Sequence, residues 1–589
     1  MAQKRILRIL DDLSPSELKL RDLPRRAEGI YNMCFNEYGQ LVKRAGYAKY
    51  NTTSLGADHK IVGMQRFHKR TATTKEFLVA WNTKWYTMAA TDPWAGTALL
   101  SKAATDFTTT TDMDTFWINF GDRCYGVNSK GIWKYDGTYV ETVGITPPIA
   151  PTANSQINGA LSTGNYKYKI TYVDTDGFES NGGTVSANIA AAANPLDGLR
   201  INIPVSTDPK ITRRNIYRTV VGGLGAFYYD GTVANNTTTT FDSILADATI
   251  IANEELHDDH TAPTATPHLI CARQARIMLA DTNNVTASMI SARGEEYFPP
   301  ELSFPTGNGQ KITGLEEQLH TLPVFTDDSL ERLTNFDAAS YEFHNAYSDE
   351  GCIATRSLCN CKNLLVYLAF DGIYYFNGTV GRKLDYKLSK YIMKNINPTY
   401  AYLSCAVYYD DKYFLTYPKG ASTVPNETVY YDFESKTTGV YNLGFSCYSV
   451  WDKGGDTYSL KGGSNTIGQI YSVFTGLTDD TAAIACHDDI EPMDLGMPDI
   501  FKKWYAIYVK VKATTATEIT MNYAIDYNTE VTSVTETIAA GTDWYRIGFG
   551  TNSLRGRALA YRPSFEDKFA CEIHGYALVY SLEPAEWMK

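Results

Sequence analysis

The stretch Gly131-Ile132-Trp133-Lys134-Tyr135-Asp136-Gly137-Thr138 returns almost residue for residue as Gly372-Ile373-Tyr374-Tyr375-Phe376-Asn377-Gly378-Thr379. Each copy reads as a strand of aromatic and β-branched residues that runs into a tight turn. Asp-Gly and Asn-Gly offer the positive φ that a type I′ hairpin turn needs. A weaker third copy, Gly468-Gln469-Ile470-Tyr471-Ser472-Val473-Phe474, lies further on. A hairpin recurring at wide spacing means one architectural unit was used several times. That constrains the chain toward a repetitive β scaffold.

The first two copies are about 240 residues apart, and taking out an inserted stretch of about 115 residues leaves close to three units of a four-stranded propeller blade. The insertion is bounded by two proline-rich breaks, Thr146-Pro147-Pro148-Ile149-Ala150-Pro151 and Thr261-Ala262-Pro263-Thr264-Ala265-Thr266-Pro267. Between them, Tyr168-Lys169-Ile170-Thr171-Tyr172-Val173, Leu199-Arg200-Ile201-Asn202-Ile203 and Asn215-Ile216-Tyr217-Arg218-Thr219 alternate with period two. Short strands at this density fit an immunoglobulin-like sandwich.

The chain therefore reads as all-β. Residues 1–29 form an N-terminal segment, and 30–145 begin a β-propeller of six or seven blades. Residues 146–266 are a fibronectin-like insertion, 267–480 complete the propeller, and 481–589 form a C-terminal β-sandwich. The propeller is expected to close by pairing its N- and C-terminal strands, because an open blade cannot bury its faces alone. The hairpin Ile30 to Tyr47 is placed in the ring. The clearest helical candidates, both short, are Pro15 to Leu23 and Lys387 to Lys394.

The 589 residues carry a net charge of −12, which argues against a nucleic-acid reader with a basic patch. It is compatible with a wall along which DNA slides without sticking. No run of apolar residues is long enough for a transmembrane helix. Met1-Ala2-Gln3-Lys4-Arg5-Ile6-Leu7-Arg8 lacks the apolar core of a secretory signal. The ten scattered cysteines read as reduced, mostly buried thiols.

Chemistry is sparse along the chain. No Gly-x-Ser-x-Gly elbow occurs. Cys486-His487-Asp488-Asp489 is the most suggestive cluster, but neighbours on a strand point to opposite faces. His257 and His260, in Leu256-His257-Asp258-Asp259-His260, are spaced for a metal but lie in a polar connector, without the helical His-Glu-x-x-His pattern. Cys359-Asn360-Cys361 lacks the second pair of a zinc site. Asp174-x-Asp176-Gly177 lacks the distal Glu of a calcium loop and reads as a hairpin turn. Val221-Gly222-Gly223-Leu224-Gly225 follows a strand but precedes no helix, so phosphate cradling is not expected. No Ser-x-Asp-x-Gly-x-x-Trp box of the sialidase kind is present. No catalytic, cofactor-binding or metal-ligating residue is assigned, no cofactor is expected, and the chain is expected not to be an enzyme.

Tyr31-Asn32-Met33-Cys34-Phe35-Asn36-Glu37-Tyr38-Gly39-Gln40-Leu41-Val42-Lys43-Arg44-Ala45-Gly46-Tyr47 resembles the opening element of the phage tail nozzle (tail hub, tail tubular protein B-like) family. Those chains tend to read Asn-x-x-Phe-Asp-x-x-Gly-x-Leu-x-Lys-Arg-Pro-Gly. Here Ala45 replaces the Pro and Asn36 the Asp, and both changes keep a hairpin. Tyr168 to Ser180 resembles that family's fibronectin-like insertion. Gly351-Cys352-Ile353-Ala354-Thr355-Arg356-Ser357 and Leu368 to Tyr374 resemble its later blade, and Arg293 to Pro299 a stretch before it.

The resemblance implies a structural protein of the virion tail, made in the host cytoplasm. It implies a homohexameric ring that docks to the adaptor below the portal, carries fibres or spikes and surrounds the DNA exit channel, with DNA passing without sequence-specific binding. The alternatives are a carbohydrate-binding or glycan-cleaving β-propeller, or another virion attachment protein.

Overall fold

The computed structural model describes residues 4–583 except 9–19, 52, 70–74, 83, 90–96, 99–113, 194, 265, 291–293, 320, 335–340, 347–349, 455–456, 529–530 and 550–553. The fold is all-β. Among the described residues, seven blades of four antiparallel strands, six of them separate sheets and one the end of a ten-stranded sheet, follow one another around a ring.

Blade 1 is Ile61–His68, Lys75–Trp81, Lys84–Ala89 and Thr97–Ala98, and blade 2 is Phe116–Phe120, Arg123–Asn128, Gly131–Tyr135 and Val140–Thr142. Blades 3, 4, 5 and 6 begin at Leu269–Arg273, Gly314–Leu315, Cys359–Cys361 and Cys405–Tyr409. Blade 7 takes three strands from Tyr448–Gly454, Thr457–Gly463 and Ile470–Val473, and its fourth from Tyr47–Lys49. The ring thus closes by pairing early and late strands, as expected, and holds seven blades.

All three sequence repeats occupy the same place. Gly131–Tyr135, Gly372–Phe376 and Ile470–Val473 are each the third strand of their blade. The turn differs from the type I′ expectation. Gly137 and Gly378 take φ of 98° and 96°, but Asp136 and Asn377 are not in the positive-φ region. Instead each side chain folds forward. Asp136 Oδ1 accepts from the amides of Thr138 and Tyr139 at 2.7 and 2.9 Å, and Asn377 Oδ1 from those of Thr379 and Val380 at 3.0 Å each. This Asx-type bonding sets the turn locally and leaves only glycine in the left-handed region.

Every blade-to-blade seam has its own apolar cluster. Trp85, Cys124 and Trp133 fill the seam between blades 1 and 2. Tyr125, Ile132 and Leu279 fill the next. Leu269, Leu322 and Val324 join blades 3 and 4, and Phe325, Leu365 and Phe376 join blades 4 and 5. Leu368, Leu415 and Val429 follow, with Leu388 and Ile392 of the helix Tyr386–Asn395. Phe414, Leu460 and Val473 join blades 6 and 7, and Phe77, Trp451 and Ile470 close the circle. The period-two pattern explains this, because both faces of each blade are buried against neighbours. The helix expected at Lys387 to Lys394 is present, capped by Asp385, whose Oδ1 accepts from the Leu388 amide at 2.7 Å. Of the other expected helix, residues 15–19 lie outside the described residues, and Leu20–Asp22 is a single 3-10 turn.

The insertion between blades 2 and 3 is a sandwich. One sheet holds Thr152–Ile157, Gly198–Asn202 and Thr240–Ser243, the other Tyr168–Asp174, Ile211–Arg218 and Tyr228–Val233. Tyr168, Ile170, Ile201 and Ile216 form its core.

The segment 30–43, which the sequence placed in the ring, pairs elsewhere. Met33–Phe35 and Leu41–Lys43 join a sheet with Cys571–Leu582, Lys502–Ala513 and Gly541–Gly548. Ile30–Tyr31 bridges the outer strand of blade 6 to Ile484–Asp488, so the second sheet of the C-terminal sandwich runs on from the propeller. Met33, Phe35 and Leu41 bury their side chains against Trp504, Ile507, Met521 and Ile573. The C-terminal sandwich therefore includes N-terminal strands. Local alternation marked these residues as a hairpin, but could not show which distant sheet would accept them.

Candidate functional site at the ring axis

The lead-ins to the seven innermost strands converge on the ring axis. Lys60, Asp114, His268, Thr313, Thr355, Leu403 and Ser446, each at or near the start of one innermost strand, line a cavity of roughly 550 Å³. Arg356, in the lead-in of blade 5, reaches across. Its Nη2 donates to the carbonyls of Val62, in blade 1, and Thr115, at the start of blade 2, the latter at 3.3 Å. The guanidinium lies 3.5 Å from Asp114 Oδ1 and 4.7 Å from the centre of the Phe116 ring. Arg356 thus ties three blades together and crosses the axis. Lys60 pairs with Asp114 at 3.6 Å. His268 Nε2 lies 2.7 Å from the Ile312 carbonyl, and burial lowers its pKa.

Deeper along the axis, a second cavity is lined by Trp117, Gly314, Glu316, Arg356, Cys405 and Tyr448. Glu316 is half-buried and lines this cavity. Burial, and then the neighbouring Glu317, pushes its carboxyl up to about 7. A carboxyl held protonated near neutrality is the chemistry of a proton donor. No sequence pattern marks it, because Glu316 follows a two-residue strand and belongs to no motif.

The clusters singled out from sequence have structural partners. Asp488 is fully buried and accepts from two of the three Arg25 guanidinium nitrogens, Nε at 2.5 Å and Nη2 at 2.8 Å, and from the Tyr576 hydroxyl at 2.8 Å. His487 stacks on Tyr31 with ring centres 4.8 Å apart, and burial, then Arg562, lowers it to about 4. Burial pushes the Cys486 thiol up to about 12. These residues face different partners and do not assemble. Cys359 and Cys361 are free thiols on the inner strand of blade 5, as all ten cysteines are free. The glycine run 222–225 forms a turn followed by the strand Tyr228–Val233.

The turn Asp174-x-Asp176-Gly177 has a different role from the isolated hairpin expected. Lys134, in the first repeat, inserts its ammonium among Asp174, Asp176 and Glu296 at 3.1, 3.0 and 2.8 Å, with Glu141 at 3.9 Å. Burial opposes that charge, but Glu296 and then Asp174 raise the ammonium's pKa above its usual value. Glu141, Asp174 and Asp176 cluster closely enough for a metal, yet Lys134 already stands where a cation would. Arg123 adds a 3.0 Å pair to Asp176. This network pins the insertion to blades 2 and 3.

The second cluster with metal-ligand geometry among the described residues is His257, Asp259 and His260, at the exit from the insertion.

No protein-family model matches the chain, and no curated protein matches it. Among solved structures, an exo-β-1,3-galactanase from Phanerochaete chrysosporium, with β-1,3-galactotriose, is 8% identical at a TM-score of 0.22, covering 91% of this chain and 99% of its own. TmCBM61, in complex with β-1,4-galactotriose, is 10% identical at 0.12, covering 23% and 87%. Hsv2 of Kluyveromyces lactis is 7% identical at 0.23, covering 65% and 97%. The sequence expectation of a chain without enzymatic activity is corrected here, because glycoside hydrolases stand among the similar structures. At these scores the likeness assigns no activity to this chain.

Proposed function

We propose that the chain builds the tail nozzle, or hub, ring of a short-tailed bacteriophage. Six copies surround the DNA exit path, dock to the adaptor ring and carry fibres or spikes in the virion tail. The observation that carries this reading is what the Asn32 to Arg44 motif does. Asn32 Nδ2 donates to the Ala485 carbonyl at 2.7 Å, and its Oδ1 accepts from Arg44 Nε at 2.7 Å. Arg44 grips Asp479 with two nitrogens at 2.8 and 2.6 Å, and Lys43 donates to the Asp567 carbonyl at 2.7 Å. Asn36 Oδ1 holds the turn through the amides of Tyr38 and Gln40. The residues of the resemblance thus clasp N-terminal strands, propeller and C-terminal sandwich into one body. Such a clasp suits a part that transmits load between ring neighbours.

In this reading DNA passes between subunits, because Arg356 crosses the propeller's own axis. Mass photometry of the purified protein, with and without adaptor–portal complex, tests the proposal. Hexamers, alone or on the adaptor, support it. A monomer under both conditions overturns it.

A second reading, a carbohydrate-binding or glycan-cleaving propeller, is favoured by Glu316 in the axial cavity. Glycan binding or hydrolysis that is lost in Glu316→Gln would support it. Absence of both across a galactan and polysaccharide panel would overturn it.

A further inference from the structure

We propose that His257, Asp259 and His260 bind a divalent transition-metal ion of the zinc class where the chain leaves the inserted sandwich and returns to the ring. Their ligand atoms all lie within 4.8 Å of one another. Asp259 Oδ1 is 4.0 Å from His257 Nδ1 and 3.8 Å from His260 Nε2. That oxygen is shielded from solvent and takes no hydrogen bond. The two imidazole centres are 5.2 Å apart. An imidazole bound to zinc at about 2.1 Å has its centre about 3.2 Å from the metal, so a tetrahedral angle sets two centres about 5.2 Å apart. The ring centres already stand at that separation, with their planes inclined by 24°. Contraction of the oxygen toward the two nitrogens by about 0.5–0.7 Å brings it to the ligand separation of a tetrahedral zinc site.

The surroundings hold the ligands in place. Glu254 Oε1 lies 3.0 Å from His257 Nε2, the ring atom opposite the one facing Asp259. A carboxylate on the far nitrogen fixes the tautomer and orientation of a metal-binding histidine. His260 stacks on Tyr297 with centres 4.0 Å apart, and its amide donates to Asn181 Oδ1 at 2.8 Å. Upstream, the Leu256 amide donates to Phe227 at 2.9 Å, and the Tyr229 amide to Glu254 at 2.9 Å. The connector is thus tied to the inserted sandwich at both ends, and stacked on Tyr297 beside blade 3. A histidine–histidine–carboxylate set leaves a fourth position for water or a partner's ligand. Bound metal would lock the connector against Tyr297, and so fix the inserted sandwich relative to the ring.

The test uses chelator-treated full-length protein titrated calorimetrically with Zn²⁺, and separately with Co²⁺ followed by visible absorption. One ion per chain, with the visible bands of tetrahedral Co²⁺, is expected. Glu254→Gln should weaken binding by about tenfold, and His257→Ala or Asp259→Asn by more. Asp259→Asn keeps the side-chain volume, and circular dichroism confirms that each variant is folded. Wild-type protein that binds neither ion, or affinity unchanged in both His257→Ala and Asp259→Asn, overturns the proposal.

Discussion

Arg25 and Asp488 form a two-point ion pair 463 residues apart in sequence, Nε to Oδ1 at 2.5 Å and Nη2 to Oδ2 at 2.8 Å, both side chains buried. Arg25 Nη1 also donates to the Leu20 carbonyl, and Tyr576 donates to Asp488. The pair anchors the N-terminal segment inside the C-terminal sandwich. Breaking a buried pair leaves one charge uncompensated, at a cost of about 3–5 kcal/mol. Arg25→Met should therefore lower stability by that amount, read as a fall in the denaturant midpoint. Tyr576→Phe, which removes one hydrogen bond to the carboxylate and leaves the ion pair, should cost less, about 1.5–3 kcal/mol. Equal small effects would show that the anchor carries no load.

Lys134→Met should loosen the insertion without opening the ring. The variant strands Asp174 and Glu296, both buried, beside Asp176. The cost is again about 3–5 kcal/mol, localised at the junction. Limited proteolysis is expected to cut faster within residues 144–151 and 257–267, while the ring fragments stay intact. Unchanged cleavage would contradict the role given to Lys134.

Glu316 predicts a pH dependence of one sign. Its folded pKa, about 7, stands above the ordinary carboxyl value of 4.5, through burial and then Glu317. Its contribution is fully present below 4.5 and is lost as pH rises through 7. The loss is about 3 kcal/mol at most. Glu316→Gln should remove it, so the variant gains stability over wild type between pH 5 and 8, as measured by melting temperature against pH.

His487 predicts the opposite sign. Burial and then Arg562 depress it from 6.5 to about 4. Its contribution is present above 6.5 and is lost as pH falls through 4, by about 3 kcal/mol at most. His487→Phe, which retains a ring to stack on Tyr31, should flatten the acid side of the melting profile.

The ring was legible in the sequence because its unit is local. Gly131 to Thr138 and Gly372 to Thr379 carry their own turn bonding, so the same residues produce the same third strand in blades 2 and 5. The insertion was legible from its proline borders and alternating strands. What escaped was non-local pairing. Ile30–Tyr31 joins blade 6 to Ile484–Asp488, and nothing near residue 30 specifies partners more than 400 positions away. The axial groups escaped for the same reason. Glu316 and Arg356 acquire their character only when separate blades bring their lead-ins together. His257 and His260 were visible as a pair, but Asp259 and Glu254 complete the cluster through a loop conformation that spacing alone does not dictate.

The most direct test of the proposed function is electron microscopy of the full-length protein bound to its adaptor–portal complex. The account predicts six copies in a ring whose central channel, bounded by neighbouring subunits, admits a DNA duplex, with each propeller axis closed at Arg356. Particles that remain single chains beside an unoccupied adaptor, or DNA density running along a propeller axis, would contradict it.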